Sequence, residues 1–237
     1  MLVTFLIPAY DEERTILEVL ERIDALDLDA EVIVVDDGSA DGTAEVVEQW
    51  RTRHEYVTLI RQENRGKGAA VRAAIPHATG EIVVIQDADM EYDPADVPLL
   101  IEPIVRGAAD AVYGSRLSGG RPQRAYLFWH RVGNRVLSVV TGVLFNTTLT
   151  DMETGYKAFR ADVLRSLQIT RDDFTIEPEL TGELCRRHLR VYEIPISYYG
   201  RTYSEGKKIT WRDGFKALWT LVLVRLRPPV EQRPGSS

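Results

Sequence analysis

A chain of 237 residues, 44 % hydrophobic and 27 % charged, is ordinary globular material for one α/β core. Its formal net charge of −7 argues against general nucleic-acid binding, and its single cysteine, Cys185, excludes an internal disulfide and a cysteine-built zinc site. The longest apolar stretches, residues 136–145 and 217–224, fall short of the roughly 20 residues of a membrane-spanning helix. Met1 leads into residues 2–8 with no basic leader, so a cytoplasmic, reducing home is expected.

In chain order, short β-branched runs alternate with amphipathic runs, the pattern of a parallel sheet flanked by helices. Strands are predicted at 2–8, 31–35, 57–61, 82–86 and 111–114, with helices at 15–26, 43–53, 68–78 and 95–106. Four polar loops follow strands: Pro8-Ala9-Tyr10-Asp11-Glu12, Asp36-Asp37-Gly38-Ser39, Asp87-Ala88-Asp89 and Gly114-Ser115-Arg116. Open parallel sheets bind ligands at those strand ends. Beyond Arg116 a loop (117–126), a helix (128–145), a turn running into an extended segment (150–160), a helix (177–187) and a last strand (191–199) are expected. Pro228 and Pro229 close a final amphipathic helix, and 228–237 is expected to be a disordered tail.

Charge is unevenly spread. Residues 111–150 hold no Asp or Glu but carry Arg116, Arg121, Arg124, Arg131 and Arg135, and residues 201–227 carry seven Lys or Arg against Glu205 and Asp213. An acidic body with two basic segments suits an anionic ligand or surface on one side. Arg131 and Arg135, four apart on one helix face, match a phosphate through bidentate guanidinium contacts. Phe215, Leu218, Trp219, Val222 and Leu226 form a stripe at helical spacing near Lys216, Arg225 and Arg227. Such a stripe lies in a lipid interface or packs on a core, and the sequence leaves both open.

Asp87, Asp89 and Glu91 follow an apolar strand. Side chains alternate along an extended segment, so the three carboxylates can point the same way and offer oxygens to one Mg²⁺ or Mn²⁺. Asp37, at another strand end, suits a ribose or base edge, whereas Asp41 and Thr43 read as turn and helix-start residues. Lys67 opens a helix after Gly66, a place for a phosphate contact or for a solvated lysine.

Seven motifs then occur in order over about residues 2–216: Pro8-Ala9-Tyr10-Asp11-Glu12-Glu13, Val35-Asp36-Asp37-Gly38-Ser39-Ala40-Asp41-Gly42-Thr43, Arg65-Gly66-Lys67-Gly68, Asp87-Ala88-Asp89, Gly114-Ser115-Arg116, Thr150-Asp151-Met152-Glu153-Thr154-Gly155-Tyr156-Lys157 and Ser204-Glu205-Gly206-Lys207-Lys208. Together they resemble glycosyltransferase family 2 proteins of GT-A fold, in the branch of dolichol-phosphate mannose and polyprenyl-phosphate glucose synthases. The resemblance implies a Rossmann-like, mostly parallel sheet flanked by helices. By position, Pro8, Tyr10 and Glu12 would hold the nucleoside with Asp37, while Asp87, Ala88, Asp89 and Glu91 would hold metal and diphosphate. Many members carry glutamine where this chain has Glu91. Arg116 and Arg131 match the family's phosphate-binding arginines, Asp151 its acidic residue near the acceptor, and Arg201, Ser204, Lys207 and Lys208 a loop closing on phosphates.

The implied reaction is inverting transfer of a hexose from GDP-mannose or UDP-glucose to a polyprenyl or dolichyl phosphate, with Mg²⁺ or Mn²⁺, by a protein peripheral at the cytoplasmic face of a membrane. One domain, 1–227, would divide into a nucleotide-sugar half (1–116) and an acceptor half (117–227). Three rivals are a family 2 enzyme acting on a sugar or glycolipid hydroxyl, which needs a catalytic base in the second half, a donor-binding subunit of a membrane complex without chemistry, and a nucleotidyltransferase. The Asp-x-Asp motif argues against the second. The third normally has a glycine-rich loop after the first strand, where this chain has Pro8-Ala9-Tyr10-Asp11-Glu12.

Overall fold

The computed structural model describes residues 1–122, 124, 128–200 and 211–228. The elements run β1 (Leu2–Ala9), α1 (Ile16–Asp24), β2 (Asp29–Asp36), α2 (Thr43–Arg51), β3 (Val57–Arg61), α3 (Lys67–Ala74), β4 (Ile82–Ile85), α4 (Val97–Val105), β5 (Ala111–Ser115), α5 (Phe128–Phe145), β6 (Lys157–Arg160), α6 (Ala161–Ser166), α7 (Ile176–Arg186), β7 (Val191–Pro195) and α8 (Trp211–Arg225). The strands form one sheet in the order β3-β2-β1-β4-β6-β5-β7, parallel except for β6, which is antiparallel to β4 and β5.

Alternation within the strands builds two cores. Val3, Phe5, Ile7, Val32, Val34 and Val84 face α1, α2 and α4, packing on Val19, Leu20, Val47, Leu100 and Ile101. Leu6, Ile33, Val35, Val83 and Ile85 point the other way, onto Ala70, Val71 and Ala74 of α3, Leu164 of α6 and Leu180 of α7. Burial on both faces is why these strands read as continuous apolar runs. α8 packs on α7 and α5, so this helix belongs to the folded unit, whereas the tail expected at 228–237 lies, beyond Pro228, outside the described residues.

The expected elements all form, with shifted ends. The helix expected at 68–78 stops at Ala74 and tightens into a 3-10 turn over Ile75–His77, because Pro76 has no N–H to continue the ladder. Pro94 likewise sets a 3-10 turn, Pro94–Asp96, ahead of α4. The last strand ends at Pro195, four residues early. α6 was not anticipated.

The antiparallel β6 has the largest consequence for the site. Lys157 pairs in register with Ile85, so the loop entering β6 lies beside the loop leaving β4, at the edge where β1, β2 and β5 also end.

Candidate active site

The loops after β1 and β2 are laced together. Asp11 Oδ1 accepts from Ala40 N (2.8 Å), Thr43 Oγ1 from Glu12 N (2.9 Å), and Glu13 Oε2 from Gly42 N (3.1 Å). Asp41 accepts from Thr43 N and Glu13 N, the turn-building role read for it and for Thr43. Pro8, Tyr10 and Glu12 stand at this edge, Tyr10 at 36 % exposure.

Asp37 differs from expectation. Its Oδ1 accepts from Gln62 Nε2 (2.6 Å) and Arg65 N (2.9 Å), and its Oδ2 from Gly66 N (2.7 Å). The carboxylate shapes the turn into α3, where Gly66 takes φ +99°. A ribose or base would have to share those oxygens.

The α3 start is not an open phosphate cradle either. Ala69 N donates to Asp172 O (3.0 Å), and a Cβ on Gly66 or Gly68 would lie 2.6 Å from Asp172 O or 2.3 Å from Arg171 O. Those glycines admit the 170–173 loop. Lys67 turns inward: its Nζ is 2.7 Å from Asp87 Oδ1 and 3.0 Å from Glu177 Oε1. Burial disfavours the charge, but the two carboxylates outweigh it and hold the ammonium well above ordinary lysine.

The Asp87–Glu91 segment is a turn, not an extended strand, with Met90 at φ +59°. Asp89 Oδ1 accepts from Glu91 N (3.0 Å), while the Glu91 carboxylate accepts from Tyr198 Oη (2.8 Å). The alternation expected to align three carboxylates is therefore lost, and among the described residues no three Asp, Glu, His or Cys side chains converge as metal ligands. Asp87 and Asp89 remain, both half-buried at the sheet edge. Two carboxylates fit a hard divalent cation that takes its other oxygens from a diphosphate and water.

At the end of β5, Arg116 meets Asp151. Nε and Nη2 donate to the two carboxylate oxygens, each at 2.7 Å, and the Arg116 backbone N–H adds a third bond at 2.8 Å. Asn134 Nδ2 donates to Asp151 Oδ1 (2.6 Å), Glu193 accepts from the backbone N–H of Thr150 and Asp151, and the guanidinium lies 5.2 Å from the Tyr198 ring centre. Burial raises Asp151, but the facing guanidinium more than reverses this, so the carboxyl is held below its usual range. The first carboxylate beyond the acid-free stretch thus folds onto Arg116, and an acceptor phosphate there would have to share the guanidinium with Asp151.

The other arginines divide. Arg121 lies 3.8 Å from Asp96, and Arg124 Nη1 donates to Gly200 O (3.0 Å). Arg131 and Arg135 on α5 are exposed and pair with no carboxylate among the described residues. Arg201, Ser204, Lys207 and Lys208 lie outside the described residues.

α5 turns its polar side in. Asn134, Ser138 and Thr141 face the protein, whereas Trp129 (77 % exposed), Val136, Val139 and Val143 (81 %) face out. On α8, Ala217, Leu221 and Val224 are buried, while Phe215, Trp219 and, just past the helix, Leu226 are exposed. The anticipated stripe therefore splits: its aromatic residues stay outside, with Leu218 and Val222 half-buried.

Sequence reasoning missed Lys157, Glu177, Glu193, Asn134 and Tyr198. The legible signal was a lysine opening an apolar strand and a glutamate on the core-facing side of a helix, both costly to bury unless paired. Glu153 belongs here too: burial, reinforced by Glu177, raises its carboxyl to about 7, and its Oε1 is buried with no hydrogen-bond partner among the described residues.

A parallel sheet broken by one antiparallel strand, with an Asp-x-Asp turn at its edge, defines the GT-A class of α/β folds. The sequence model for glycosyl transferase family 2 matches residues 4–168, and the chain belongs to that family. Glycosyltransferase AglJ of Haloferax volcanii is 33 % identical over 202 residues, which cover 84 % of this chain and 63 % of that protein. The UDP-N-acetylglucosamine–dolichyl-phosphate N-acetylglucosaminyltransferase of Methanococcus voltae is 26 % identical over 243 residues, covering 95 % and 96 %. The dolichol-phosphate mannosyltransferase of Pyrococcus furiosus is 28 % identical over 212 residues, covering 87 % of this chain and 59 % of that one. The chain thus spans about three fifths of the first and third and nearly all of the second. Glucosyl-3-phosphoglycerate synthase of Mycobacterium tuberculosis, solved with Mn²⁺, UDP and phosphoglyceric acid, superposes with a TM-score of 0.72 at 21 % identity, covering 95 % of this chain and 79 % of that one, which establishes likeness of fold.

Proposed function

We propose that this chain transfers a hexose, with inversion, from a nucleotide-sugar such as GDP-mannose or UDP-glucose to a polyprenyl or dolichyl phosphate at the cytoplasmic face of a membrane. The observation that carries the acceptor reading is α5. Asn134 touches Asp151, so Arg131 and Arg135, on either side of it, ride at the rim of the site, and the same helix presents an apolar face outward. A cationic rim beside an exposed aromatic and aliphatic surface matches a phosphate on a greasy tail. The acceptor names of the Methanococcus and Pyrococcus relatives agree with it.

Residues 1–116 serve the donor and 117–227 the acceptor in this reading. Pro8, Tyr10, Glu12 and Asp37 line the nucleoside end, and Asp87 and Asp89 the diphosphate end. When bound there, Mg²⁺ or Mn²⁺ supplies positive charge to the leaving diphosphate. Arg131 and Arg135 orient the acceptor phosphate. That phosphate is already deprotonated near neutral pH, so attack on the anomeric carbon needs alignment rather than a strong base. Asp151 accordingly works as the anchor of Arg116.

The test is a panel of nucleotide-sugars incubated with polyprenyl phosphate, read for a sugar-phosphate lipid, with both KM values measured in Arg131→Ala. Loss of a charge-assisted hydrogen bond is expected to raise the acceptor KM by roughly tenfold or more while the donor KM stays nearly unchanged. An unchanged acceptor KM removes Arg131 from the acceptor site. A second reading, a hydroxyl acceptor, is favoured by Glu153, whose carboxyl near 7 suits a general base; product formed only with hydroxyl acceptors would establish it.

No helix among the described residues is long and apolar enough to cross a membrane. Contact through α5 and α8 predicts that the protein floats with vesicles containing anionic lipid, less so as salt rises, and that Trp129→Ser/Trp219→Ser lowers the bound fraction several-fold. Wild type that stays wholly in the aqueous fraction would contradict this surface.

A further inference from the structure

Four charged side chains run inward from the end of β4. Asp87 Oδ1 is 2.7 Å from Lys67 Nζ, which is 3.0 Å from Glu177 Oε1; Glu177 Oε2 pairs with Lys157 Nζ. Lys157 Nζ also donates to the Met152 and Thr154 carbonyls and lies 4.5 Å from the centre of the Tyr113 ring. Side-chain exposure rises along the chain toward the site, from 0 % at Lys157 through 4 % at Glu177 and 11 % at Lys67 to 21 % at Asp87. The 150–156 loop is shaped around it: a Cβ on Gly155 would lie 2.4 Å from Asp87 Oδ2 and 2.8 Å from Lys67 Nζ.

Stability does not account for this arrangement. Taking charges out of water costs several kcal/mol per ion, and well-packed apolar side chains of the same volume hold a core as well or better. What the chain does provide is a shared cation. Lys67 is divided between Asp87, at the sheet edge, and Glu177, behind it, while Lys157 balances Glu177.

We propose that Glu177 and Lys157 are positioning residues for the donor site, which set how much of the Lys67 charge Asp87 receives. The proposal rests on the donor reading above. With Glu177 ionised, Lys67 is held back, and Asp87 keeps an oxygen for the cation and diphosphate that arrive together. Without that charge, Lys67 closes on Asp87 alone and competes with them.

Calorimetric titration of UDP and GDP with Mn²⁺ into wild type, Glu177→Gln and Glu177→Asp tests this. Glu177→Gln, close in shape but uncharged, is expected to bind the preferred nucleotide about tenfold more weakly. In turnover it should raise the donor KM more than it lowers kcat. Glu177→Asp, shorter but charged, is expected to stay nearer wild type, because the effect follows charge rather than shape. Wild-type affinity in Glu177→Gln, or Asp weaker than Gln, overturns the proposal and leaves the donor reading intact.

A measurement on wild type stands even where Glu177→Gln does not fold. The chain has only five lysines, Lys67, Lys157, Lys207, Lys208 and Lys216, so ¹⁵Nζ-lysine spectra are tractable. Nucleotide with Mn²⁺ replaced by Mg²⁺ is expected to shift Lys67 and, through Glu177, the buried Lys157. A Lys157 signal that does not move overturns the proposal. Wild type that binds neither nucleotide removes the proposal and the donor reading together.

Discussion

Asp89→Ala is expected to lower turnover by roughly 10²–10³-fold or more, the scale on which a group that stabilises developing charge acts. The fold should survive. Asp89 is half-buried in a turn, where its carboxylate accepts a hydrogen bond from Glu91 N at 3.0 Å, and a bond of that kind is worth about 1 kcal/mol. For a chain of 237 residues that corresponds to a melting point lower by roughly 2–4 °C. Excess chelator should reproduce the loss in wild type, and added Mg²⁺ or Mn²⁺ should reverse it. Turnover undiminished in chelator would remove the metal from the reaction, and a variant that unfolds would make Asp89 a structural residue.

The second large effect is on stability. Asp151→Ala strands the Arg116 guanidinium, 17 % exposed, against a pocket built for a fully buried carboxylate. Severing a buried pair costs about 3–5 kcal/mol, and the residual hydration of Arg116 places the expectation near 3. That is a melting point roughly 6–12 °C lower. Arg116→Met/Asp151→Leu should recover much of the loss, because removing both charges also removes the desolvation cost. Thermal denaturation of wild type, Arg116→Met, Asp151→Leu and the double variant closes a double-mutant cycle and measures the coupling. Additive losses would mean that the two residues stabilise the fold independently and that Asp151 is not the anchor of Arg116.

Both effects bear on how charge is used in this protein. A count of Asp and Glu along the sequence makes residues 111–150 look like an open cationic surface. In the folded chain Arg116 is neutralised by Asp151, 35 residues away, and Arg121 lies near Asp96. Arg131 and Arg135 keep that character because α5 carries them at the surface.

The sequence by itself determined the α/β layering and the edge at which the site sits. Hydrophobic periodicity is local: each strand needs only its own alternating or continuous apolar run, and each helix its own stripe, to commit to a core face. The placement of Asp87-Ala88-Asp89, Asp37 and Pro8-Ala9-Tyr10-Asp11-Glu12 at one edge was legible for the same reason, since each follows a strand end, but the turn that redirects Asp89 and Glu91 was not. Tertiary structure decided the rest. β6 is four residues long and begins with a buried lysine, so it signals a strand only once β4 and β5 offer backbone partners on both sides. The pairs Arg116–Asp151 and Lys157–Glu177 depend on distances across 35 and 20 residues, which no local pattern encodes. The direction in which α5 faces was hidden most deeply. Apolar residues ordinarily mark the inward side of a helix, but here Asn134 and Ser138 are drawn in by Asp151 and the backbone N–H of Met152, and Val136, Val139 and Val143 are left outside.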